Sequence, residues 1–570
     1  MSIIWKPNGA FNLSEDPSNL PQEINQNGTI VASDALSRCK NLRVDTQGVL
    51  RTRDGATKFN ASAIDTSPHL IVEQGGNRYT FAGTKVYKNE SSIGTGLTNA
   101  KWSAIKYNPY NSSNQNIFAL NGTDRKRIES DTVYEWGIDA PTVAPVIVAG
   151  ASTGLTGDYN AKYSYCRKEG TTVVCESNLS PAAGAAVTLA DGSLSITATA
   201  PSDSQVTHIR FYRTLTGGTD YYHDQDLAVG STNVDSDTSD GALGDVEETD
   251  HFRPPLGHFV IGPNYNGVCF ILLDNKLYYC KAKQPEYWPL TYYVEVGSLQ
   301  DPARAAVFYA GQLYVLTQQN KIFLIQGTGS NTFFPVPMDA LTGTQSVDCA
   351  LSVHGEGLFH LGPDALYVYA GQDRNFSEAA FLPIFRGTTT NGVPGIDSTK
   401  LSRCMLVPYH GYIYFFYCST TDTYPSNCLV FHIGTKRAGY YSWSMQFRVA
   451  TVDQTNNKLL AADTSGYVWQ IENKSATDDG GTAISFEAES KSFVLQTRRN
   501  FPRWCKYDVD ASNADSCTGK IIVDGSTLQS HTLSENRKTK RRLITTGNGR
   551  RSSVRISGTG PVSIYATEME

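Results

Sequence analysis

The feature that most constrains the fold is a short hairpin unit that returns along the chain. Each copy has a polar or glycine-containing turn, then a strand rich in Leu, Ile and Tyr, and often a second turn with an aromatic strand. One such hairpin cannot bury its apolar faces alone, whereas several stacked around an axis can. The later copies recur every ~35 to 55 residues, the spacing of propeller blades. The pattern predicts an irregular β-propeller, with an array of β-sandwiches as the alternative. The copies begin at Asn77, Gln115, Asn275, Gly311, Asp364, Gly411 and Asn457.

The composition agrees with an all-β chain. Only 18% of the 570 residues are charged, while 31 are Tyr and 49 are Gly. Few charges also suit a surface covered by neighbouring subunits, because interface cores are depleted of charge. The formal net charge of −6 argues against a general nucleic-acid binder,.

A different segment interrupts the propeller pattern between residues 140 and 255. It holds about seven short alternating strands in ~110 residues, the size of a fibronectin-III-like sandwich. The acidic residues 234–250 end the segment. They lack the Asp-x-Asp-x-Asp-Gly loop with a Glu at its twelfth position that binds calcium, so a solvated linker is predicted in preference to a calcium site.

The predicted fold class is therefore all-β, with an irregular β-propeller body, an inserted fibronectin-III-like β-sandwich and a C-terminal β-sandwich. The predicted units are an N-terminal arm and β-hairpin at 1–65, the first blades at 66–139, the inserted sandwich at 140–255, the remaining blades at 256–481 and the C-terminal β-domain at 482–570.

The stretch NLRVDTQGVLRTRDG, residues 41–55, predicts a hairpin that carries Arg43, Arg51 and Arg53. Its strands alternate with a period of two, and an Asp and a Gly occupy the turn. One interpretation is a solvated surface hairpin. The other is that the arginines contact another chain or nucleic acid.

A second basic group lies in the C-terminal region, where further alternating strands are predicted. The group faces either phosphate or an acidic neighbour, and the sequence does not separate the two. Its members are Arg537, Lys538, Lys540, Arg541 and Arg542.

No catalytic, metal or cofactor motif is present in the sequence. The GxSxG elbow, P-loop, HExxH helix and kinase set are all missing. The 11 cysteines show no zinc-binding spacing,. No signal peptide is recognisable, and no apolar run reaches the ~20 residues of a membrane span. The prediction is a non-enzymatic protein without cofactors, made and assembled in a reducing cytoplasm.

Residues 39–55 follow the form C-x-N-L-x-V-D-x-x-G-x-L-x-x-R-x-G. This form resembles the N-terminal signature of tail nozzle and hub proteins of short-tailed bacteriophages, a group that includes tail tubular protein B and packaged-DNA stabilisation proteins. At position 54 this chain has Asp where the group has Pro. The stretch GDYNAKYSYCRKEGTTVVCESNLSP from Gly157 is similar to the sandwich common in these proteins. The final RRSSVRISGTGPVSIYATEME is similar to the strand pair that often closes them.

The resemblance implies a structural virion protein of the tail, assembled in the cytoplasm of a host bacterium. Six copies would form the distal nozzle or hub ring, continue the DNA channel, help to retain packaged DNA and take part in DNA ejection. The partners would be the head-to-tail adaptor, a tail fibre or tailspike, and double-stranded DNA that passes without sequence-specific contact. Arg43, Arg51 and Arg53 would then contact a neighbouring subunit or the adaptor. The alternative is a carbohydrate-binding or carbohydrate-active β-propeller protein of the host-recognition apparatus.

Overall fold

The structure is a computed structural model of the 570-residue chain. It describes residues 3–7, 11–17, 23–24, 30–32, 35–45, 47–108, 116–329, 332–377, 379–435, 437–494, 503–534, 536–537, 539–543 and 551–569. Nearly all regular structure is β. The helical pieces are α1 (Leu382–Phe385) and three single 3₁₀ turns at Asp240–Ala242, Ala379–Phe381 and Ser398–Arg403. Over the described ranges, no helix has the length and apolar character needed to cross a membrane.

Seven strands precede the first blade in the described residues. Five of them, within the residues 1–65 predicted as an arm and a hairpin, join the last blade or the C-terminal sheets, and the other two pair with each other. The seven strands are β1 (Ile3–Trp5), β2 (Glu23–Ile24), β3 (Ile30–Ala32), β4 (Leu36–Lys40), β5 (Leu42–Val44), β6 (Leu50–Thr52) and β7 (Gly55–Lys58).

Blades 1 and 2 are two four-stranded antiparallel meanders. Blade 1 is β8 (Pro68–Gln74), β9 (Asn77–Ala82), β10 (Lys85–Lys88) and β11 (Ser91–Gly94); blade 2 is β12 (Ser103–Tyr107), β13 (Asn116–Leu120), β14 (Arg125–Glu129) and β15 (Thr132–Glu135).

The inserted sandwich follows blade 2. A three-stranded sheet in the order β16-β19-β22 faces a four-stranded sheet in the order β18-β17-β20-β21. The two sheets share an apolar core that includes Tyr163, Leu194 and Phe211. The strands are β16 (Val146–Tyr159), β17 (Ala161–Glu169), β18 (Thr172–Glu176), β19 (Val187–Thr197), β20 (His208–Thr214), β21 (Tyr221–Ala228) and β22 (Asn233–Ser236).

Blades 3 to 6 are four further meanders of four strands each. Blade 3 is β23 (Phe259–Ile261), β24 (Phe270–Leu273), β25 (Lys276–Tyr279) and β26 (Tyr293–Glu295); blade 4 is β27 (Ala303–Tyr309), β28 (Gln312–Thr317), β29 (Ile322–Gln326) and β30 (Phe334–Pro337); blade 5 is β31 (Ala350–Val353), β32 (Gly357–Leu361), β33 (Leu366–Tyr369) and β34 (Asp373–Asn375); blade 6 is β35 (Met405–Tyr409), β36 (Tyr412–Tyr417), β37 (Asn427–His432) and β38 (Ala438–Ser442).

Blade 7 takes its fourth strand from the N-terminal segment. It consists of β39 (Phe447–Asp453), β40 (Lys458–Asp463) and β41 (Val468–Asn473), and β7 pairs antiparallel with β41 as its outer strand. The innermost strands β8, β12, β23, β27, β31, β35 and β39 contact one another in this order, and β39 returns to β8. The seven blades therefore form a closed ring, although no single sheet closes into a barrel.

The C-terminal sandwich is built from both ends of the chain. In one sheet the strand order is β49-β46-β51-β6-β5, and β1 also pairs with β51. The other sheet continues blade 6, because β4 lies between β38 and β44 and leads on to β50, β47 and β48. The last strands are β42 (Asp478–Asp479), β43 (Thr482–Ala483), β44 (Ser485–Ser490), β45 (Phe493–Val494), β46 (Trp504–Asp510), β47 (Ser516–Val523), β48 (Ser526–Thr532), β49 (Thr539–Arg542), β50 (Arg551–Thr559) and β51 (Ser563–Met569).

These pairings merge propeller and sandwich into one body. One apolar core joins Phe359 of blade 5 and Phe415 of blade 6 to Phe486 and Ile556 of the sandwich. All 11 cysteines are buried and none forms a disulfide. The predicted fold class is confirmed: an irregular β-propeller with an inserted fibronectin-III-like sandwich and a C-terminal β-sandwich.

The close approach at the start of β7 gives a test of ring closure. A Cβ atom on Gly55 would lie 2.2 Å from the carbonyl oxygen of Asp478 and 2.8 Å from that of Ala476. Gly55→Ala should therefore displace β7 from blade 7 and lower the stability by about 1–3 kcal/mol. Gly184→Ala is the matched control, because a Cβ there meets nothing within 4 Å. Equal melting temperatures of the two variants would contradict the role of β7.

Candidate functional site

Strands β5 and β6 form the predicted arginine hairpin, with Arg43 opposite Arg51. The Asp45 carboxylate closes the turn by accepting hydrogen bonds from the backbone N–H groups of Gln47 at 2.8 Å and Val49 at 2.9 Å. This Asx-type geometry is what the Asp in the turn predicts. The three arginines nevertheless have three different environments.

Arg53 lies inside the protein, with 1% of its side chain exposed. Its Nε donates to Asn41 Oδ1 at 3.2 Å, and its two terminal nitrogens form a fork with the Asp479 carboxylate at 2.9 and 2.5 Å. The remaining two N–H groups reach the carbonyl oxygens of Asp54 at 3.1 Å and Ser442 at 3.2 Å. All five donors of the guanidinium are therefore used within one chain. This corrects the predicted contact of Arg53 with a neighbouring subunit, because no donor remains for a second chain.

Arg43 is also held within the chain. Its Nη2 donates to Asp54 Oδ2 at 2.9 Å, its Nη1 pairs with the buried Glu472 carboxylate, and its guanidinium lies over the Tyr412 ring. Burial acts to lower the pKa of Arg43, but Glu472, Tyr441, Tyr414 and Asp54 together outweigh burial and raise the pKa, so the guanidinium stays charged. The Arg43 side chain is 23% exposed, so a contact of Arg43 with another chain stays a prediction.

Arg51 is the member of the hairpin that faces solvent. Its side chain is 45% exposed, and its Nε lies 2.7 Å from Asp45 Oδ2. A surface pair of this kind contributes little and is readily exchanged for another partner. A contact of Arg51 with another chain stays a prediction.

Asn41, Arg53 and Asp479 form a cluster that we name the latch. Asn41 has a φ of 55°, in the left-handed region that Asn tolerates,. Its Nδ2 donates to the Ser485 carbonyl oxygen at 2.7 Å, and its Oδ1 accepts from the Ser442 N–H at 2.8 Å. The latch thus connects the outer strand of blade 6, the extension of blade 7 and the first strand of the C-terminal sandwich. The motif contained Asn41 and Arg53, but no local signal pointed to Asp479.

The C-terminal basic group lies on and beside the edge strand β49, which pairs with β46. Arg537 is bound to the Asp508 carboxylate at 2.8 Å and lies over the Tyr565 ring. Lys538 lies outside the described residues. The members on β49 itself are Lys540, Arg541 and Arg542.

The acidic end of the inserted segment holds a group of possible metal ligands. Within the described part of the chain, Glu248, Asp250 and His251 are the three such side chains that lie within 4.8 Å of one another. The Lys281 ammonium lies 2.8 Å from Glu248 Oε2 and 2.6 Å from Asp250 Oδ1. Burial lowers the pKa of Lys281, but the two carboxylates outweigh it and the pKa is raised. A protein cation thus already binds both carboxylates, which fastens the end of the insertion to blade 3.

A cleft of about 830 Å³ separates the inserted sandwich from blade 3. Glu176, Arg210 and Tyr212 line it from the sandwich, and Lys283 and Tyr287 line it from blade 3. The Glu176 carboxylate already accepts hydrogen bonds from the Tyr212 hydroxyl at 2.6 Å and Arg210 Nη1 at 2.8 Å. At 5% and 6% exposure, Tyr212 and Tyr287 offer little ring surface on which a sugar could stack.

Charged side chains lie at both mouths of the central channel of the propeller. At the mouth where the innermost strands begin, Lys101 of blade 2 pairs with Asp348 of blade 5, so this ion pair spans the ring. At the mouth where they end, Lys106 Nζ donates to the Glu73 carbonyl oxygen at 3.0 Å. Burial, together with the Asp453 carboxylate, raises the pKa of Glu73 to about 7.

Comparison with known proteins does not identify the chain. No protein-family model and no curated protein matches the sequence. Among solved structures, BamB from Moraxella catarrhalis is similar with a TM-score of 0.34 and 12% identity, over 73% of this chain and 98% of BamB. YCF48 bound to D1 peptide is similar with a TM-score of 0.26 and 9% identity, over 58% of this chain and 97% of YCF48. Both are β-propeller proteins. At these scores the likeness carries no argument about function.

The latch makes a prediction about stability. Arg53→Gln leaves the Asp479 carboxylate buried without its counter-charge, which should lower the free energy of unfolding by about 3–5 kcal/mol. Arg51→Gln, on the same hairpin, should cost at most about 1 kcal/mol because its pair is exposed. Chemical denaturation of both variants measures the difference. Similar small losses in the two would refute the buried latch.

Glu73 makes a prediction about pH. Its folded pKa of about 7 lies above the ordinary value of 4.5, so the folded chain binds a proton that the unfolded chain releases between these values,. Ionised Glu73 therefore disfavours the folded state as the pH rises through this window. Glu73→Gln should melt at the same temperature as the wild type at pH 4 and above it at pH 8. A constant difference at all pH values would contradict the raised pKa.

Proposed function

We propose that this protein is a structural component of the tail of a short-tailed bacteriophage, where six copies form the distal nozzle or hub ring. In this role it continues the DNA channel, helps to retain packaged DNA, and connects the head-to-tail adaptor to tail fibres or tailspikes during ejection. One observation carries the proposal. The residues that resemble the nozzle and hub signature, residues 39–55, include Asn41 and Arg53 of the latch and Gly55 at the ring closure.

The contacts of these residues explain why proteins that share the motif would also share an architecture. Asn41 and Arg53 each make a contact that joins the propeller to the C-terminal sandwich, and Gly55 allows the close approach that closes blade 7. A chain that shares these residues in this order needs the same joint between the same two bodies. The motif therefore supports a shared architecture, and through it a shared structural role.

The chain topology suits a part that carries mechanical load. Pulling the body apart requires β7 to leave blade 7 and β4, β5 and β6 to leave the C-terminal sheets. β4, β6 and β7 are held by ladder hydrogen bonds to partners more than 400 residues away, as in the pairs Trp469–Lys58 and Ser563–Arg51, and β5 pairs with β6. A wall that must withstand packaged DNA benefits from such closure.

The charge balance also suits a passage for DNA. With a net charge of −6, the chain offers few phosphate contacts overall, and DNA affinity rises with each phosphate neutralised. DNA can then slide through the ring with little friction from specific binding.

Assembly is the direct test of this proposal. The protein, purified with its adaptor, should form a ring visible by negative-stain electron microscopy. Arg51→Glu should prevent assembly while the monomer keeps its melting temperature, because Arg51 is exposed and paired only on the surface,. Arg374→Glu, on the exposed edge of blade 5, is the control and should assemble normally.

Two results would contradict the proposal. One is normal ring formation by the Arg51→Glu variant, which would remove the predicted contact. The other is a chain that stays monomeric with its adaptor and turns over a glycan, which would favour the carbohydrate-active alternative.

A further inference from the structure

Three innermost strands of the propeller carry a β-bulge at their second residue. The register skips His69 in blade 1, Arg304 in blade 4 and Arg448 in blade 7. A bulge re-aims the side chain of the residue it leaves unpaired and is common next to functional sites. His69 and Arg448 belong to the two adjacent blades where the ring closes, at the mouth spanned by the Lys101–Asp348 pair.

Arg448 and Arg403 share one aromatic ring at this mouth. The guanidinium carbon of Arg448 lies 4.3 Å from the centre of the Tyr424 ring, and that of Arg403 lies 4.9 Å from it. Arg448 Nε donates to the Pro68 carbonyl oxygen at 3.3 Å, which joins blade 7 to blade 1. Arg403 Nη1 donates to the Thr423 carbonyl oxygen. Over the described ranges, neither guanidinium has a carboxylate within ion-pair distance.

This arrangement differs from the other arginine clusters of the protein. The forks of Arg53, Arg167 and Arg213 each meet a carboxylate, and each pair is buried or half-buried. Arg403 and Arg448 instead lie over one shared aromatic ring. Burial is the main cause that lowers the pKa of Arg448, and the positive charge of Arg403 lowers it further. The two guanidiniums therefore place two positive charges against one ring at this mouth.

The neighbouring titratable groups are His69, Lys101, Asp348 and Asp65. His69 Nε2 is bound to Asn99 Oδ1 at 2.6 Å, and burial, with Arg448 and Lys101 nearby, lowers the pKa of His69. The Asp348 carboxylate is engaged by Lys101. Asp65 also contributes to the field at His69 and Arg448, but it is beyond ion-pair distance of both guanidiniums.

We propose that Arg403 and Arg448 form a binding site for a phosphate group at this mouth of the propeller channel. Guanidinium forks match the oxygens of a phosphate in bidentate geometry, and two forks supply enough donors for a doubly charged group. The bound group would replace the mutual repulsion of the two arginines with attraction. The phosphate can be free or part of a nucleic-acid backbone. The site does not depend on the proposed tail role.

Isothermal titration calorimetry with the full-length protein tests this site. One arm titrates inorganic phosphate, and the other a short double-stranded DNA. The wild type should bind at least one of them, and Arg403→Gln and Arg448→Gln should each weaken that binding about tenfold or more. Arg374→Gln, on the outer strand β34 of blade 5, is the control and should bind as the wild type does.

The two arms also identify the source of the phosphate. Binding of inorganic phosphate assigns a free anion, and binding of DNA alone assigns a backbone phosphate. Arg448→Gln also removes a contact between blades 7 and 1, so the melting temperature of this variant is measured as well. Arg403 is exposed, so the Arg403→Gln variant still tests the site if Arg448→Gln unfolds. Absence of binding in both arms, or unchanged binding by Arg403→Gln, would overturn the site.

Discussion

The architecture depends on one buried guanidinium. Arg53 satisfies all five of its N–H groups with partners from three parts of the body, and its charge is balanced by Asp479. A buried charge is tolerable only when it is paired and fully hydrogen-bonded. The position of Arg53 therefore requires blade 6, blade 7 and the C-terminal sandwich to be in place together. The latch makes the closure of the propeller and the formation of the sandwich one event.

Hairpins are the part of this fold that a single sequence predicts well. Turns such as Gly75–Gly76 in blade 1 and Gly311 in blade 4 stand between alternating strands, and both hairpins form there. The information is local, because a turn residue and its flanking periodicity lie within a dozen positions. The inserted sandwich was predictable for the same reason.

Long-range pairing is what the sequence could not supply. Arg53 follows the pattern of an exposed strand residue, and its partner Asp479 is 426 positions away. No sequence feature near residue 53 indicates that the Asp479 carboxylate is its partner. In the same way, β7 looks like the end of a hairpin, yet it completes a blade whose other strands begin at residue 447. The Arg403–Tyr424–Arg448 grouping joins three separate segments and left no motif.

The two kinds of arginine divide the molecule by role. Arginines with buried carboxylate partners, such as Arg53 and Arg43, hold the body together. Arg403 and Arg448 have no carboxylate within ion-pair distance among the described residues, and our proposal is that they bind an outside anion.

Native-state hydrogen exchange of the wild type tests the central claim most directly. If the latch couples the two bodies, the slowest amides of β40 in blade 7 and of β50 in the sandwich should exchange through one opening, with the same free energy and the same dependence on denaturant. Separate openings with clearly different free energies would show that propeller and sandwich fold independently, and would contradict the account.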